Sequence, residues 1–330
     1  MQRLVVLGAG ESGVGTAILG KQKKYQVFVS DNGQIEDKYK NVLEHFEIEW
    51  EEGGHTEEKI LNATLVMKSP GIPDKVHLIQ KLLKSKIPVI SEIEFAAQYT
   101  DATLIGITGS NGKTTTTMLT QHVLQGGGLN SGMAGNIGDS FAKMVAEEEY
   151  DNYVLEISSF QLDGIVDFRP QIAIITNITP DHLDRYEYQF ENYVASKFRI
   201  AMNQGVNDYL IYDADDPVIV QGIQQHSVQS KLVPFSVQTE LKEGAWLENN
   251  EIIINVEHKN LKMSTDYLAL DGQHNVKNAM AATLASLLVN VRKETLRQSI
   301  ESFQGVPHRL EKVLKINHVC LLYTSDAADD

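Results

Sequence analysis

The chain has 330 residues, a length that accommodates two or more domains. It carries 29 Lys and Arg against 44 Asp and Glu residues, and the net charge of −15 argues against a nucleic-acid or anionic-lipid binder, since both partners need clustered cations. The single cysteine, Cys320, excludes a disulfide framework and a thiolate-rich zinc site, and with neither a signal peptide nor a run of ~18 apolar residues we expect a soluble cytoplasmic protein.

Short runs rich in β-branched residues alternate with segments of helical period over the first 200 residues. We predict strands at 3–8, 25–30, 63–69, 87–90, 102–108, 153–158 and 172–178, and helices at 12–22, 74–85, 92–99, 112–124, 139–147 and 189–203. Continuous apolar runs of this length are typical of strands buried on both faces, so the pattern predicts an α/β fold with parallel sheets. After about residue 230, segments at 231–235, 244–247 and 251–255 predict a small antiparallel patch, followed by helices at 275–289 and 294–303.

A first glycine-rich loop follows the first predicted strand. Gly8, Gly10 and Gly13 form a G-x-G-x-x-G pattern that opens a helix, and Asp31 ends the second strand. This arrangement is typical of dinucleotide-binding folds, in which the acid lies about 20 residues on and binds a ribose. Because many such loops are only tight turns, the pattern favours a nucleotide or phosphate-bearing ligand without selecting NAD.

The strongest motif, GSNGKT at 109–114, lies between the strand at 102–108 and a Thr-rich helix. Glycines allow backbone N–H groups to close around phosphate oxygens, and the helix N-terminus adds its positive dipole. We expect Lys113 to reach the terminal phosphates and the Thr114 hydroxyl to bind Mg²⁺. Position 107 is Ile, so the loop departs from the strict G-x-x-x-x-G-K-[ST] pattern; the alternative is an ordinary glycine-rich turn.

Polar residues follow the next two buried strands. Glu156 ends the first, at the sheet edge where open α/β sheets bind ligands, and is either a direct or water-mediated Mg²⁺ ligand or a solvated acid. The second strand is followed by groups suited to binding or orienting a metal, namely Asn177, Asp181, His182, Asp184 and Arg185.

Three further segments carry polar residues whose role the residues alone leave open. Lys197 lies in a predicted helix, where a lysine is usually a solvated charge. His274, Asn275 and Asn278 begin another helix, either as caps or as the lining of a base pocket. Arg309, at a predicted turn between domains, either binds phosphate or pairs with a neighbouring acid.

Together these motifs resemble the Mur ligases, the ATP-dependent amide-forming enzymes of bacterial cell-wall synthesis. The resemblance covers about residues 1–319 and rests on GAGESG (8–13), SPGIP (69–73), GSNGKTTTT (109–117), GNIG (135–138), LEISSFQL (155–162), NITPDHLDRY (177–186), GQHNVKN (272–278) and VPHRLE (306–311). The combination of SPGIP, ISSFQL and DHLDRY is similar to the member that adds D-glutamate to UDP-N-acetylmuramoyl-L-alanine through an acyl phosphate.

The resemblance implies one site for the UDP-linked substrate and another for ATP and Mg²⁺. It implies that the UDP-linked substrate contacts Ser12, Gly13, Asp31, Ser69, Gly71, Asn136 and Ser158. It implies that ATP contacts Gly109, Ser110, Asn111, Gly112, Lys113, Thr114, Thr115, Asn275 and Arg309. The implied metal ligands are Thr114, Glu156, His182 and a carbamylated Lys197, and the implied catalytic residues are Lys113, Glu156, His182 and Lys197. A carbamate is anionic, so the modification would turn a repelling ammonium into a group that supports Mg²⁺.

We therefore predict a Rossmann-like domain for the UDP-linked substrate at 1–92, a central ATP-binding domain at 93–304, and the start of a truncated C-terminal domain at 305–330. The motif F-I-N-D-S-K-A-T-N, usual in the family after this point, is replaced by CLLYTSDAADD at 320–330. We expect an incomplete, monomeric copy that binds both nucleotides but ligates D-glutamate weakly or not at all.

Three alternatives stay open. The first is another Mur or folylpolyglutamate-type ligase with a different amino acid, and the second is a non-catalytic nucleotide-binding module. An NAD dehydrogenase ranks lower, because it leaves the phosphate loop and DHLDRY unexplained.

Overall fold

A computed structural model describes residues 2–268, 272–305, 309–316 and 319–324, and only the backbone in the last two ranges. Its strands form two large sheets and one two-stranded sheet. Within these ranges no helix has the length and apolar character needed to cross a bilayer.

The first sheet is fully parallel, as the continuous apolar runs predict. Its strands are β1 (Arg3–Leu7), β2 (Gln26–Ser30), β3 (Glu49–Glu51), β4 (Leu65–Lys68) and β5 (Val89–Ile90), in the order β3-β2-β1-β4-β5. Its helices are α1 (Glu11–Gln22), α2 (Asp37–His45), α3 (Glu57–Ile60) and α4 (His77–Lys84). Successive β1 side chains enter two different cores, Leu4 and Val6 on one face and Val5 and Leu7 on the other.

After α5 (Glu92–Ala97) the chain builds a nine-stranded sheet. Its strands are β6 (Thr103–Thr108), β7 (Ser131–Gly135), β8 (Asn152–Glu156), β9 (Ile172–Ile175), β10 (Tyr209–Asp213), β11 (Lys231–Ser236), β12 (Gly244–Glu248), β13 (Glu251–Val256) and β14 (Lys259–Ser264). Their order is β14-β13-β12-β11-β10-β9-β6-β8-β7. The helices are α6 (Lys113–Gly126), α7 (Phe141–Glu147), α8 (Ser159–Asp163), α9 (Phe190–Phe198), α10 (Pro217–Gln225), α11 (Gln273–Leu288) and α12 (Lys293–Ser302). Short 3₁₀ helices cover Leu183–Arg185, Arg199–Ala201 and Thr265–Tyr267, and β15 (Arg309–Ile316) pairs antiparallel with β16 (Val319–Thr324).

The antiparallel patch lies one strand further along the chain than predicted, since it contains β14 and excludes β11. The placement of 231–235 within it is wrong, because β11 pairs in parallel with β10 across the α10 crossover, which the sequence did not indicate. Within the nine-stranded sheet, antiparallel pairing is confined to β12, β13 and β14, which are joined by tight turns at 249–250 and 257–258 with left-handed backbone. At the edge strand β14, Lys259 Nζ donates to the Leu287 carbonyl and to Asn290 Oδ1.

Each large sheet has a switch point where neighbouring strands are followed by loops that lead to opposite sides. In the first sheet this lies between β1 and β4, and in the second between β6 and β9. Ligands of open α/β sheets bind at such points, beyond the carboxyl ends of the strands. The loops at 8–10 and 69–73, and those at 109–112 and 176–182, therefore define two candidate sites.

Helix α5, between the two sheets, fixes a loop of the second sheet through one buried carboxylate. Glu94 is 1% exposed and accepts the backbone N–H groups of Val166, Asp167 and Phe168 at 2.8–3.1 Å. These three donors follow α8 and have no strand to pair with, so Glu94 replaces a sheet partner.

We expect Glu94→Ala to lower the free energy of unfolding by about 3 kcal/mol, because it leaves buried N–H groups without an acceptor. Glu94→Gln keeps one acceptor oxygen and should cost about 1 kcal/mol. Urea unfolding at pH 7.5 measures both, with Glu44→Ala at an exposed position on α2 as a control expected to change stability by less than about 0.5 kcal/mol. Equal stability of Glu94→Ala and the control would contradict this role.

Candidate active site

The loop after β6 passes against the loop after β9 at a point where only glycine fits. Gly109 has φ +151°, and a Cβ there would lie 1.9 Å from Thr176 Oγ1. Gly112 has φ +80°, and a Cβ there would lie 2.6 Å from Asn278 Oδ1 on α11. The two glycines of the predicted phosphate loop are therefore required by packing as well as by backbone conformation.

Side chains from the loop after β9 hold the phosphate loop in place. Asn177 Oδ1 accepts the Asn111 N–H and Asn177 Nδ2 donates to the Asn111 carbonyl, both at 2.9 Å. The Thr176 hydroxyl donates to the same carbonyl at 2.7 Å, and the Ser110 hydroxyl donates to the Thr179 carbonyl at 2.9 Å. Hydrogen bonds within the protein thus support the backbone curve that would surround a phosphate.

Lys113 and the two following threonines begin α6. The Lys113 ammonium donates to the carbonyls of Gly109 and Ser110 at 3.1 Å, so it lies over its own loop. Thr114 and Thr115 are half-buried in the first turn. A small cleft beside this turn is lined by Thr115, Leu119, Leu268, Asn275, Ala279, Ile300 and Phe303.

Lys197 is a buried amine, in contrast to the solvated charge that its sequence context suggests. It is 2% exposed on α9, with Nζ 4.7 Å from the centre of the Tyr193 ring and 3.5 Å from Thr108 Oγ1. Burial, helped by the nearby positive charge of Lys113, lowers the pKa of Lys197 to about 7, although Asp181, Asp163 and Glu156 act in the opposite direction. The structure thus brings Lys113, Glu156 and Lys197 into one electrostatic cluster, with an amine that is mainly neutral above pH 7.

Glu156, at the end of β8, is almost completely buried, and its two carboxylate oxygens differ in their hydrogen bonding. It is 1% exposed, and its Oε1 accepts the Asn136 side-chain amide at 2.9 Å. Within the described ranges its Oε2 has no hydrogen-bond partner. Ser158, two residues after Glu156, caps α8, because its hydroxyl accepts a hydrogen bond from the Gln161 N–H. This hydrogen bond holds the Ser158 hydroxyl near the end of β8.

His182 lies at the tip of the loop after β9, in the left-handed region with φ +48°. Its side chain is 48% exposed, with Nε2 3.5 Å from Asp181 Oδ2 and the ring centre 5.3 Å from that of Phe160. Among the residues with described side chains, no hydrogen bond joins His182 to Glu156, and no three acidic, His or Cys groups form a preassembled metal cluster. These two predicted metal ligands thus follow β8 and β9, which lie on either side of β6, and no hydrogen bond joins them.

Five of the residues predicted to bind the UDP-linked substrate lie around the switch point of the first sheet, namely Ser12, Gly13, Asp31, Ser69 and Gly71. A Cβ on Gly8 would lie 2.4 Å from Ser69 Oγ, and one on Gly13 would lie 1.9 Å from the Gly8 carbonyl. Asp31 accepts the N–H groups of Ala9 and Gly33, both at 2.7 Å, so in this structure it shapes the loop.

Ser12, Gly71, Asn136 and Arg309 differ in how far the structure locates them. Ser12 opens α1, and its carbonyl accepts the Thr16 hydroxyl at 2.7 Å. Gly71 is exposed in the 69–73 loop, while Asn136 belongs to the second sheet and contacts Glu156. Arg309 begins β15, and its side chain lies outside the described part of the structure.

Two polar clusters near these sites were missed from the sequence. Lys277 on α11 bridges Asp213 and Asp215 at 2.7 and 3.0 Å. The signal for them was the short run YLIYD at 209–213, a strand that was not predicted. Glu92, in the segment SEIEF after β5, accepts hydrogen bonds from the Ser140 hydroxyl and the Ala142 N–H, and burial raises the pKa of its carboxyl.

The sequence of this chain matches known families and proteins. Residues 107–286 match the Mur ligase middle domain and residues 3–77 match the MurD N-terminal domain. The chain is 59% identical over 326 residues to the UDP-N-acetylmuramoylalanine--D-glutamate ligase of Christiangramia forsetii, covering 99% of this chain and 73% of that protein. It is 50% identical over 329 residues to the ligase of the same name from Bacteroides fragilis, covering 100% and 74%.

Solved structures agree in fold. One is UDP-N-acetylmuramate:L-alanyl-gamma-D-glutamyl-meso-diaminopimelate ligase from Neisseria meningitides, with a TM-score of 0.64 at 18% identity over 93% of this chain and 99% of that one. Another is UDP-N-acetylmuramate-alanine ligase from Thermotoga maritima, with a TM-score of 0.58 at 19% identity over 98% and 74%.

The depressed pKa of Lys197 predicts a pH-dependent stability. Between about pH 7.5 and 9.5 the unfolded chain keeps a proton on this lysine, whose ordinary pKa is 10.5, whereas the folded chain has mainly lost it. Stability must then rise with pH, so the unfolding free energy of the wild type relative to Lys197→Met should increase by about 1.4 kcal/mol per pH unit.

Urea titrations in CO₂-free buffer measure this difference, since carbamylation would remove the titrating amine. The exposed Lys262→Met provides the matched control. A wild-type-minus-Lys197→Met difference that stays flat across this range would contradict the buried, neutral amine.

Proposed function

This chain belongs to the Mur ligase family, and from that membership we propose that it is an ATP-dependent ligase that joins D-glutamate to the carboxylate of UDP-N-acetylmuramoyl-L-alanine. Membership rests on the match to the Mur ligase middle domain over 107–286 and on relatives that are 50–59% identical over nearly the whole chain. Those relatives are named for this reaction, and the reaction belongs to peptidoglycan synthesis.

One observation carries the proposal: the phosphate loop, Lys113, Glu156 and Lys197 converge at the carboxyl ends of β6, β8 and β9. ATP supplies the phosphoryl group that converts the carboxylate into an acyl phosphate, which an amine can attack. We propose that the N–H groups of 109–112 and the Lys113 ammonium bind the phosphates, as the preformed loop supports. We propose that the adenine side of ATP lies near Thr115 and Asn275, which both line the small cleft beside α6, and that Arg309 also contacts ATP.

The donor set fits a divalent cation. Glu156 Oε2 is a buried carboxylate oxygen with no partner among the described residues, and desolvating it is unfavourable unless a cation or donor approaches. We propose that Glu156, His182 and the Thr114 hydroxyl hold Mg²⁺, and that bound Mg²⁺ offsets the phosphate charge. The ammonium form of Lys197 does not suit this set, because it is a cation. Its neutral amine can react with CO₂ and release one proton, which gives an anionic carbamate.

We propose that the UDP-linked substrate binds at the switch point of the first sheet, near Ser12, Gly13, Asp31, Ser69 and Gly71. Asn136 and Ser158 would lie at the reacting end, and the Asn136–Glu156 hydrogen bond supports their proximity to the phosphate loop. This assignment corresponds to a substrate domain at 1–92, an ATP domain at 93–304 and a further unit from 305. ATP dependence and a single cysteine support action in the cytoplasm, and one chain's own residues form the site, which supports a monomer.

The test is trapping of the acyl phosphate by this 330-residue chain. With UDP-N-acetylmuramoyl-L-alanine, ATP and Mg²⁺, we expect hydroxylamine to yield the hydroxamate without D-glutamate. Lys113→Met should lower its rate by about 10²–10³-fold, because the phosphoryl group loses a charged donor. Lys143→Met, on α7, is the control for loss of a lysine.

Other outcomes separate the alternatives. Nucleotide binding without hydroxamate would favour a non-catalytic module, and hydroxamate with a different amino acid as acceptor would favour another acid–amino acid ligase.

A second prediction concerns the metal. In the wild type we expect ADP affinity to rise when Mg²⁺ is added. Glu156→Gln should reduce that Mg²⁺ effect about tenfold or more, since an amide oxygen carries no charge. Calorimetric titration of ADP with and without Mg²⁺ measures it, with exposed Glu149→Gln as the control. An unchanged Mg²⁺ effect in Glu156→Gln would remove this residue from the metal site.

A further inference from the structure

Arg185 joins the two switch-point loops. Its guanidinium donates to the Pro70 carbonyl at 3.1 Å and to the Gly71 carbonyl at 3.3 Å, both in the loop after β4. It also lies 4.4 Å from the centre of the Phe160 ring on α8. One side chain from the second sheet's loop thus reaches the backbone of the first sheet's loop.

The contact needs an arginine. A guanidinium presents several N–H groups in one plane, so it can donate to two successive carbonyls while its face lies on an aromatic ring. A lysine has the charge and three donors but not the planar fork, so it cannot donate to the two carbonyls while a flat face lies on the ring.

Each end of this contact is tied to a proposed ligand site. At one end, the loop that holds Gly71 is fixed by Ser69, whose N–H donates to the Leu7 carbonyl, and by an Ile72 N–H bond to the Ser69 carbonyl. At the other end, the Arg185 N–H donates to the His182 carbonyl at 3.0 Å. Phe160, which contacts both Arg185 and His182, follows Glu156 by four residues.

We propose that Arg185 is a positioning residue that couples binding of the UDP-linked substrate to binding of the metal–nucleotide. A ligand that orders the 69–73 loop fixes the carbonyls of Pro70 and Gly71. Because Arg185 donates to both carbonyls, the loop that carries Arg185 and His182 is then held in place as well. The second ligand then finds its loop already placed and loses less conformational freedom on binding. This inference rests on the proposed function, because that function supplies the two ligands.

The experiment compares the affinity for UDP-N-acetylmuramoyl-L-alanine with and without saturating Mg²⁺–ADP, by calorimetry on the whole chain. In the wild type we expect Mg²⁺–ADP to raise this affinity about fivefold to tenfold. In Arg185→Ala the ratio should fall to about one, and Arg185→Lys should retain an intermediate value, since coupling is lost with the contact.

Lys68→Met is the matched control. Lys68 Nζ donates to the Ile72 carbonyl at 2.7 Å and pairs with Asp74 at 3.0 Å, so it supports the same loop without reaching the second one. We expect this variant to weaken binding of the UDP-linked substrate but to keep the wild-type ratio. Thermal melting of each variant establishes that it is folded before titration.

The outcomes distinguish the inference from its premise. If the folded wild type binds neither ligand, the proposed function fails. If both ligands bind without a ratio above one, or if Arg185→Ala keeps the wild-type ratio, the coupling role is overturned. Loss of the ratio in Lys68→Met to the same extent as in Arg185→Ala would also overturn it, because general loosening of the loop would then suffice.

Discussion

The close approach of the loops after β6 and β9 is the constraint on which the candidate site depends. At Gly109 the distance from a hypothetical Cβ to Thr176 Oγ1 is 1.9 Å, so any side chain would force the loops apart. Separated loops would lose the Asn177 hydrogen bonds that shape the backbone of 109–112. Lys113, Lys197 and the β8 end are arranged around that backbone, so one missing methyl group determines the position of three charged side chains.

Several ionisable side chains in this region are buried. The chain is acidic overall, with a net charge of −15, yet it must accept polyanionic ligands. Asp213 and Asp215 share Lys277, and the Glu156 carboxylate is turned toward Asn136. Lys197 is held where its charged form is unfavourable, near the positive charge of Lys113. The burial that disfavours the protonated form of Lys197 leaves a neutral amine, and a neutral amine is the form that can react as a nucleophile with a small electrophile.

The sequence predicted the parts of the fold that depend on local pattern. Buried parallel strands such as β6 and β9 were predicted because every residue is apolar or β-branched, whereas β10 was missed although its residues YLIYD also favour a strand. The G-x-G-x-x-G and GSNGKT loops were found from backbone chemistry alone. Burial of Lys197 and the reach of Arg185 to Pro70 were not, because both depend on contacts between segments that are far apart in sequence. The pairing of β11 was missed for a related reason: its partner is determined by the α10 crossover.

The far edge of the second sheet shows how the protein limits self-association. No described strand pairs with the outer edge of β14. The backbone N–H and C=O groups along such an edge could pair with a strand of another molecule. Lys259 is drawn back onto the end of α11 and Lys262 points outward from the same strand. A second copy approaching this edge would meet like charge before it could form a ladder. The antiparallel addition therefore ends the sheet in a form that resists edge-to-edge aggregation.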